Sequence, residues 1–345
     1  MVSSVGTYVD KFERMLEQYT GARHAVAVVN GTAGLHIALK LAGVMPGDEV
    51  LVPALTFVAS ANAVTYCGAS PHFVDSEEAT LGIDPDKLRE YLKNTTEQRS
   101  GACFNKKTGK VIRVILPMHT FGHPVRLEEL LKVARDFYIN LVEDAAESIG
   151  SLYHDKHTGT FGLLGVLSFN GNKTITTGGG GAILTNNREL AQKAKHLTTT
   201  AKIPHAWDYR HDEIGYNYRL PNLNAALGCA QLEHLPGFLE SKRRLYHLYQ
   251  AAFQGFIGGD LFSEPAGCQS NFWLQTLILN NEHKKELEPI LAKVHEEKFL
   301  ARPAWTPLNQ LAPFQHFPSM DLQTTENLAQ RILNLPSSTC LGPKD

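Results

Sequence analysis

Four short stretches of the sequence combine residue types that can do chemistry with positions at the ends of strand-like or helix-like runs. The first is Ser168-Phe169-Asn170-Gly171-Asn172-Lys173-Thr174, followed three residues later by Gly178 to Gly181. A lysine in a short loop directly after a buried strand can form a Schiff base with a carbonyl compound. Four consecutive glycines let backbone and ligand come close. An ordinary solvent lysine on a flexible loop is the plainer reading, and the glycine run weighs against it. The second is Glu143-Asp144-Ala145-Ala146-Glu147, at the end of the strand-like Asn140-Leu141-Val142. In parallel sheets ligands bind beyond the carboxyl ends of strands, and a carboxylate there can keep a heteroaromatic nitrogen protonated. It could equally be an acidic N-cap for the next helix. The third is Asn30-Gly31-Thr32-Ala33, before a helical pattern with Leu35, Ala38, Leu39 and Ala42 on one face. Such a helix N-terminus suits a phosphate or is simply capped. The fourth, Gly215-Tyr216-Asn217-Tyr218-Arg219, is either a binding loop or an aromatic anchor, and taken alone it reads better as the anchor.

Other features are weaker. His154 and His157 lie in a loop-like stretch with no carboxylate beside them as a third ligand, so they read as a surface pair and no metal site is expected. Gly178 to Gly181 is not followed by Lys-Ser/Thr, so it is no P-loop, and no dinucleotide fingerprint is present.

These residues need a scaffold, and the pattern supplies one. Strand-like runs at Asp48–Pro53, Pro71–Asp75, Val111–Pro117, Asn140–Asp144, Val166–Phe169 and Gly181–Leu184 are interleaved with helical patterns at Val58–Tyr66 and Arg126–Phe137. The second of those helices carries Leu127, Leu130, Leu131 and Ala134 on one face. Such alternation predicts an α/β fold with a mostly parallel central sheet and helices on both faces. Residues 94–110 read as a polar excursion. A long helical pattern, Asn224 to Ala252, is expected to break near Pro236 and Gly237. It leads to a strand at Phe272–Leu279, a helix at His283–Lys298 and a last helix at Thr324–Leu333. The expected division is a large domain, residues 1–235, and a smaller C-terminal α+β domain, residues 236–345.

The 345 residues are 43% hydrophobic and 20% charged, with a formal charge of −2, ordinary for a globular protein. That balance gives no reason to expect nucleic acid or a membrane surface as partner. The five cysteines are odd in number and scattered, which fits a reducing, cytoplasmic setting. No signal peptide and no membrane-spanning apolar run is apparent.

In order and at family-like spacing, Gly6-Thr7-Tyr8-Val9, Asn30-Gly31-Thr32-Ala33, Gly47-Asp48-Glu49-Val50, Glu143-Asp144-Ala145-Ala146-Glu147, Asn172-Lys173 and Gly215-Tyr216-Asn217-Tyr218-Arg219 resemble the sugar aminotransferases of the DegT/DnrJ/EryC1/StrS family. The resemblance implies the aspartate-aminotransferase-like (type I) fold and pyridoxal 5'-phosphate as cofactor. Leu55-Thr56-Phe57-Val58 and the stretch around Lys173 are most similar to the branch serving bacillosamine-, legionaminic-acid- and perosamine-type sugars. By resemblance Lys173 and Asp144 are catalytic: Lys173 forms the Schiff base and Asp144 pairs with the pyridinium nitrogen. Phe57 stacks on the ring, and Gly31, Thr32, Ala33 and Ser168 hold the phosphate. Glu147 touches the cofactor, and Asn217 reaches the cofactor phosphate of a neighbouring subunit, so a homodimer with shared active sites is implied. His119, Tyr218 and Arg219 are expected near the substrate.

The reaction so implied moves an amino group, by family habit from glutamate, to C4 of a 4-keto-6-deoxy sugar on UDP or GDP, for surface polysaccharide or glycan precursors. Relatives carry some tens of residues before the point matching Val2-Ser3-Ser4-Val5-Gly6, so a substrate- or dimer-contacting segment is expected upstream. Gly179 stands where many relatives have glutamate. Two rival readings remain. A sugar dehydratase of the same scaffold would carry histidine where this chain has Lys173. A repurposed chain that binds the cofactor without turnover is disfavoured by the joint presence of Lys173, Asp144 and Asn217.

Overall fold

The computed structural model describes Ser3 and residues 6–341; of Val2-Ser3-Ser4-Val5-Gly6, Val2, Ser4 and Val5 lie outside the described residues. Helix α1 (Thr7–Thr20) leads into strand β1 (His24–Val28) and helix α2 (Gly31–Leu41). There follow β2 (Glu49–Pro53), α3 (Val58–Tyr66), β3 (Ser70–Val74) and α4 (Pro85–Thr95). Next come the hairpin β4 (Thr96–Arg99) and β5 (Ala102–Asn105), then β6 (Val111–Ile115), α5 (Leu127–Asp136) and β7 (Asn140–Asp144). A short hairpin, β8 (Leu152–Tyr153) and β9 (Lys156–His157), precedes β10 (Leu164–Ser168), β11 (Gly181–Thr185), α6 (Arg188–Thr198) and α7 (Asn222–Ala252). The remainder holds β12 (Gly259–Leu261), β13 (Cys268–Gln269), β14 (Gln275–Leu279), α8 (Leu287–Glu296), β15 (Arg302–Pro303), α9 (Gln323–Ala329) and β16 (Ile332–Leu335).

The main sheet runs β1-β11-β10-β7-β6-β2-β3, with the hairpin β4–β5 joined to β6. The pairs β10–β7, β7–β6, β6–β2 and β2–β3 are parallel, while β11 is antiparallel to both neighbours. The flip of β11 means that β1 runs with the parallel set. Strands β2, β3, β10 and β11 are buried along their whole length, as expected of strands covered on both faces. Against one face, Leu35, Ile37 and Leu39 of α2 share a core with Val64 of α3 and Leu197 of α6. On the other side Phe12 and Leu16 of α1 pack with Leu232 and Leu235 of α7. A second antiparallel sheet, β12-β14-β16-β15, carries its own cluster with Leu287 of α8. Among the described residues no helix is long and apolar enough to cross a membrane.

The structure corrects several expectations. Residues 96–105 are a β-hairpin that extends the sheet; β5 alternates in burial, but the exposed polar Gln98 and Arg99 of β4 give that strand no such pattern. Helix α7 passes through Pro236 without a break. A mid-helix proline costs about 3 kcal/mol, and here buried residues on both sides, Leu232 and Leu235 before it and Lys242, Leu245 and Tyr246 after it, hold the helix in line. The last helix ends at Ala329, and Leu333 belongs to a strand paired with β14.

Candidate active site

The strands β1, β2, β7 and β10 all end on one edge of the sheet, and each delivers a piece of the site there. After β1, Asn30 caps α2 by accepting from Ala33 N–H at 2.8 Å, while its carbonyl takes Gly34 N–H. Ala33 is thereby committed to the cap and does not line the cavity, whereas Gly31 and Thr32 do. Their N–H groups are taken up by no partner among the described residues. The cap therefore leaves the first two N–H groups of α2 open beside the cavity. A side chain at Gly31 would stand 3.0 Å from Ser168 Cβ, so only glycine lets α2 approach the end of β10 this closely.

After β2, Phe57 opens α3 with its ring about half exposed toward the cavity, and Ser60 one turn on donates to Asp144 Oδ2 at 2.7 Å. Asp144 closes β7. No helix follows it, so it caps none; its other oxygen accepts Ala146 N–H at 3.2 Å. Burial lifts its carboxyl above the usual range, although Ser60, Ala146 and the Lys173 charge pull the other way. The carboxylate lacks a full complement of positive partners. Glu147, three residues on, is pushed up to about 7 by burial, opposed by Lys173 and by Phe121 N–H. Lys173, in the turn after β10, places Nζ 3.2 Å from Glu147 Oε1.

Two residues that sequence reasoning did not single out complete the wall: Trp273 and Trp305. Lys173 Nζ lies 4.2 Å from the centre of the Trp273 ring, and the indole N–H donates to Asn172 O at 2.8 Å. Trp305 packs on Phe121 at 4.9 Å. Both tryptophans lie at least 100 residues beyond Lys173, and no local spacing links them to it. Ser60 had a signal, one helical turn after Phe57.

Other expected residues lie elsewhere. His119 does not line the cavity: it is fully buried, bonded to Glu143 Oε2 at 3.2 Å and accepting Val125 N–H at 3.3 Å, while its neighbour Met118 faces the space. Asn217 is exposed and accepts from the Arg219 guanidinium at 2.9 and 3.1 Å, outside its own chain's cavity. Tyr218 stacks on Tyr216 at 5.1 Å and bonds His36, so this stretch does anchor the core. His154 and His157 are no surface pair: His157 is buried and accepts Gly150 N–H, and only His154 is exposed, near Glu128.

The cavity encloses about 260 Å³, close to the lower end of the ~300–1,000 Å³ typical of small-ligand sites. Free N–H groups and hydroxyls suit a phosphate, an aromatic wall suits a planar ring, an under-compensated buried carboxyl suits a protonated ring nitrogen, and an amine suits a carbonyl. Together these are the needs of pyridoxal phosphate on a type I fold. The DegT/DnrJ/EryC1/StrS aminotransferase family model matches residues 1–345. The GDP-perosamine synthase of Caulobacter vibrioides is 34% identical over 347 residues, covering 100% of this chain and 88% of that protein. That of Escherichia coli O157:H7 is 34% identical over 342 residues, covering 99% and 88%. A crystal structure of a DegT DnrJ EryC1 StrS aminotransferase from Brucella abortus superposes with a TM-score of 0.88 at 28% identity, covering 99% of this chain and 87% of that one. The chain belongs to the DegT/DnrJ/EryC1/StrS family and is a pyridoxal-phosphate-dependent sugar aminotransferase.

Proposed function

We propose that the protein transfers an amino group from glutamate to C4 of a 4-keto-6-deoxy sugar carried on UDP or GDP. The observation that carries this reading is the convergence of Lys173, Asp144, Glu147, Phe57 and the free start of α2 on one cavity. Kinship with two GDP-perosamine synthases supports the nucleotide-sugar class. When bound, pyridoxal phosphate supplies a carbonyl carbon that exchanges its amine and a ring that takes up the electron pair of the adjacent C–H bond. Lys173 Nζ holds the carbonyl carbon at rest and, once displaced, carries the proton to or from the carbon undergoing amination. The Asp144 carboxylate keeps the ring nitrogen protonated, which its buried, under-compensated state favours. Gly31, Thr32 and Ser168 hold the phosphate, and Phe57 covers the ring. Glu147, 3.2 Å from Lys173, receives a proton when the lysine gives one up. Asn217, exposed and outside its own cavity, serves the cofactor phosphate of a second copy in a homodimer, with the half-buried Arg219 bonded to it on the substrate side.

The test is an absorbance spectrum with pyridoxal phosphate before and after borohydride, for wild type and Lys173→Ala. A visible band that borohydride fixes covalently to the wild type alone is expected, followed by amination of a UDP- or GDP-linked 4-keto sugar with glutamate. A wild type with no such band, or one that aminates only 3-keto sugars, would overturn the assignment of the lysine or of C4 respectively.

A further inference from the structure

Trp273 sits at the end of a strap, Asn271-Phe272-Trp273, that crosses from the second sheet to the loop carrying Lys173. The strap is fixed at every residue. Asn271 Nδ2 donates to Glu147 O at 2.8 Å, Ile149 O at 2.9 Å and Thr174 Oγ1 at 3.4 Å, and its Oδ1 accepts Trp273 N–H at 2.8 Å. Phe272 is held at φ 46°, a left-handed conformation that a bulky residue adopts only when its surroundings impose it. Behind it, the Lys242 ammonium from α7 is 4% exposed and donates to Phe272 O, Trp273 O and Ser337 O at 3.3, 3.0 and 2.8 Å. A buried cation spent on three backbone carbonyls is costly unless the geometry it fixes matters. What it fixes is the Trp273 ring, with Lys173 Nζ 4.2 Å from its centre and its N–H on Asn172 O.

We infer that Trp273 is a positioning residue for Lys173: its ring face and its indole N–H hold the lysine and the preceding backbone so that Nζ stays beside Glu147 and over the cofactor cavity. An aromatic face attracts an ammonium through its quadrupole, so the free lysine has two resting partners, a carboxylate and a ring. It does not swing into solvent between proton transfers. The inference rests on the functional reading above for what Lys173 does.

The experiment measures how fast added pyridoxal phosphate becomes borohydride-fixable on the cofactor-stripped full chain, by intact mass, for wild type, Trp273→Phe and Trp273→Leu. In parallel it measures the affinity for pyridoxine 5'-phosphate, which has no carbonyl and occupies the cavity without engaging the lysine. Trp273→Leu should attach roughly tenfold more slowly and Trp273→Phe within about threefold of wild type, because phenylalanine keeps an aromatic face. Pyridoxine phosphate affinity should fall by much less than the attachment rate in both, since Trp273 is only one part of the cavity wall, and in turnover kcat should fall while KM for the amino donor holds. Attachment by Trp273→Leu at the wild-type rate, equal slowing by phenylalanine, or a matching loss of pyridoxine phosphate affinity each overturn the inference. A wild type that never attaches the cofactor overturns the functional reading itself.

Discussion

Glu143 and Asp144 are neighbours on β7, both almost wholly shielded from solvent, and they point to opposite faces of the sheet. Glu143 accepts Gly159, Phe161 and Gly162 N–H at 2.6, 2.7 and 2.7 Å, and pairs with His119. Burial alone would raise its carboxyl, but the His119 bond and the backbone N–H groups outweigh it and hold it below the usual range. Asp144 has one hydroxyl and one N–H, and its carboxyl is lifted instead. With the depth of burial alike, the difference lies in how many donors the chain has committed. A saturated carboxylate is part of the architecture; an unsaturated one facing a cavity keeps acceptor capacity, the pattern common at functional sites.

The contrast can be broken at either residue. Asp144→Asn should lower amine transfer by on the order of 10²-fold while leaving the urea midpoint equal to or above that of wild type, since it removes a poorly compensated buried acid. A clear loss of stability with activity preserved would reverse the roles assigned to the two faces. Glu143→Ala should do the opposite, costing at least ~3 kcal/mol because three buried N–H groups lose their acceptor at ~1–3 kcal/mol each. Denaturant unfolding reads this directly, and a variant as stable as wild type would remove the distinction. The smallest effect concerns Glu147. Its folded value of about 7 lies above the ordinary 4.5, so the folded state holds a proton that the unfolded state has lost between those values. Stability therefore falls as pH rises from about 4.5 to 7 and is level above. Glu147→Gln has no such penalty. Its Tm relative to wild type should climb by ~2 °C or more between pH 5 and pH 8 in the absence of cofactor. A pH-independent difference would mean that Glu147 is ionised throughout.

Much of this was legible in the sequence. The strands ending at Pro53, Asp144 and Ser168 are short apolar runs that local pattern marks. The chemistry of Lys173 and Asp144 is implied by the family resemblance, since local pattern leaves each of them a plainer reading. What stayed hidden depends on contacts between distant segments. Lys242 reads as a surface lysine in a helical pattern, and only the carbonyls of residues 272, 273 and 337 explain its burial. His119 follows a strand of the right edge and so seemed to face the site, yet Glu143 turns its ring inward. Pro236 carried the ordinary meaning of proline, which tertiary packing overrode. Trp273 and Trp305 had no spacing signal at all.

The first elements of the chain have their partners near its middle and beyond. Tyr8 N–H is accepted by Asn222 Oδ1, 214 residues away, α1 packs on α7, and β1 pairs with β11 and bridges Arg219 through Val28. During synthesis at ~5–20 residues per second, the N-terminal helix and strand therefore emerge roughly 10–40 s before α7 exists. Their amphipathic and edge surfaces must stay out of other associations for that interval. The sheet closes from its later strands back onto its beginning, so the arrival of β11, which pairs with β1, is the event that gives β1 and the start of α2 behind it a fixed place.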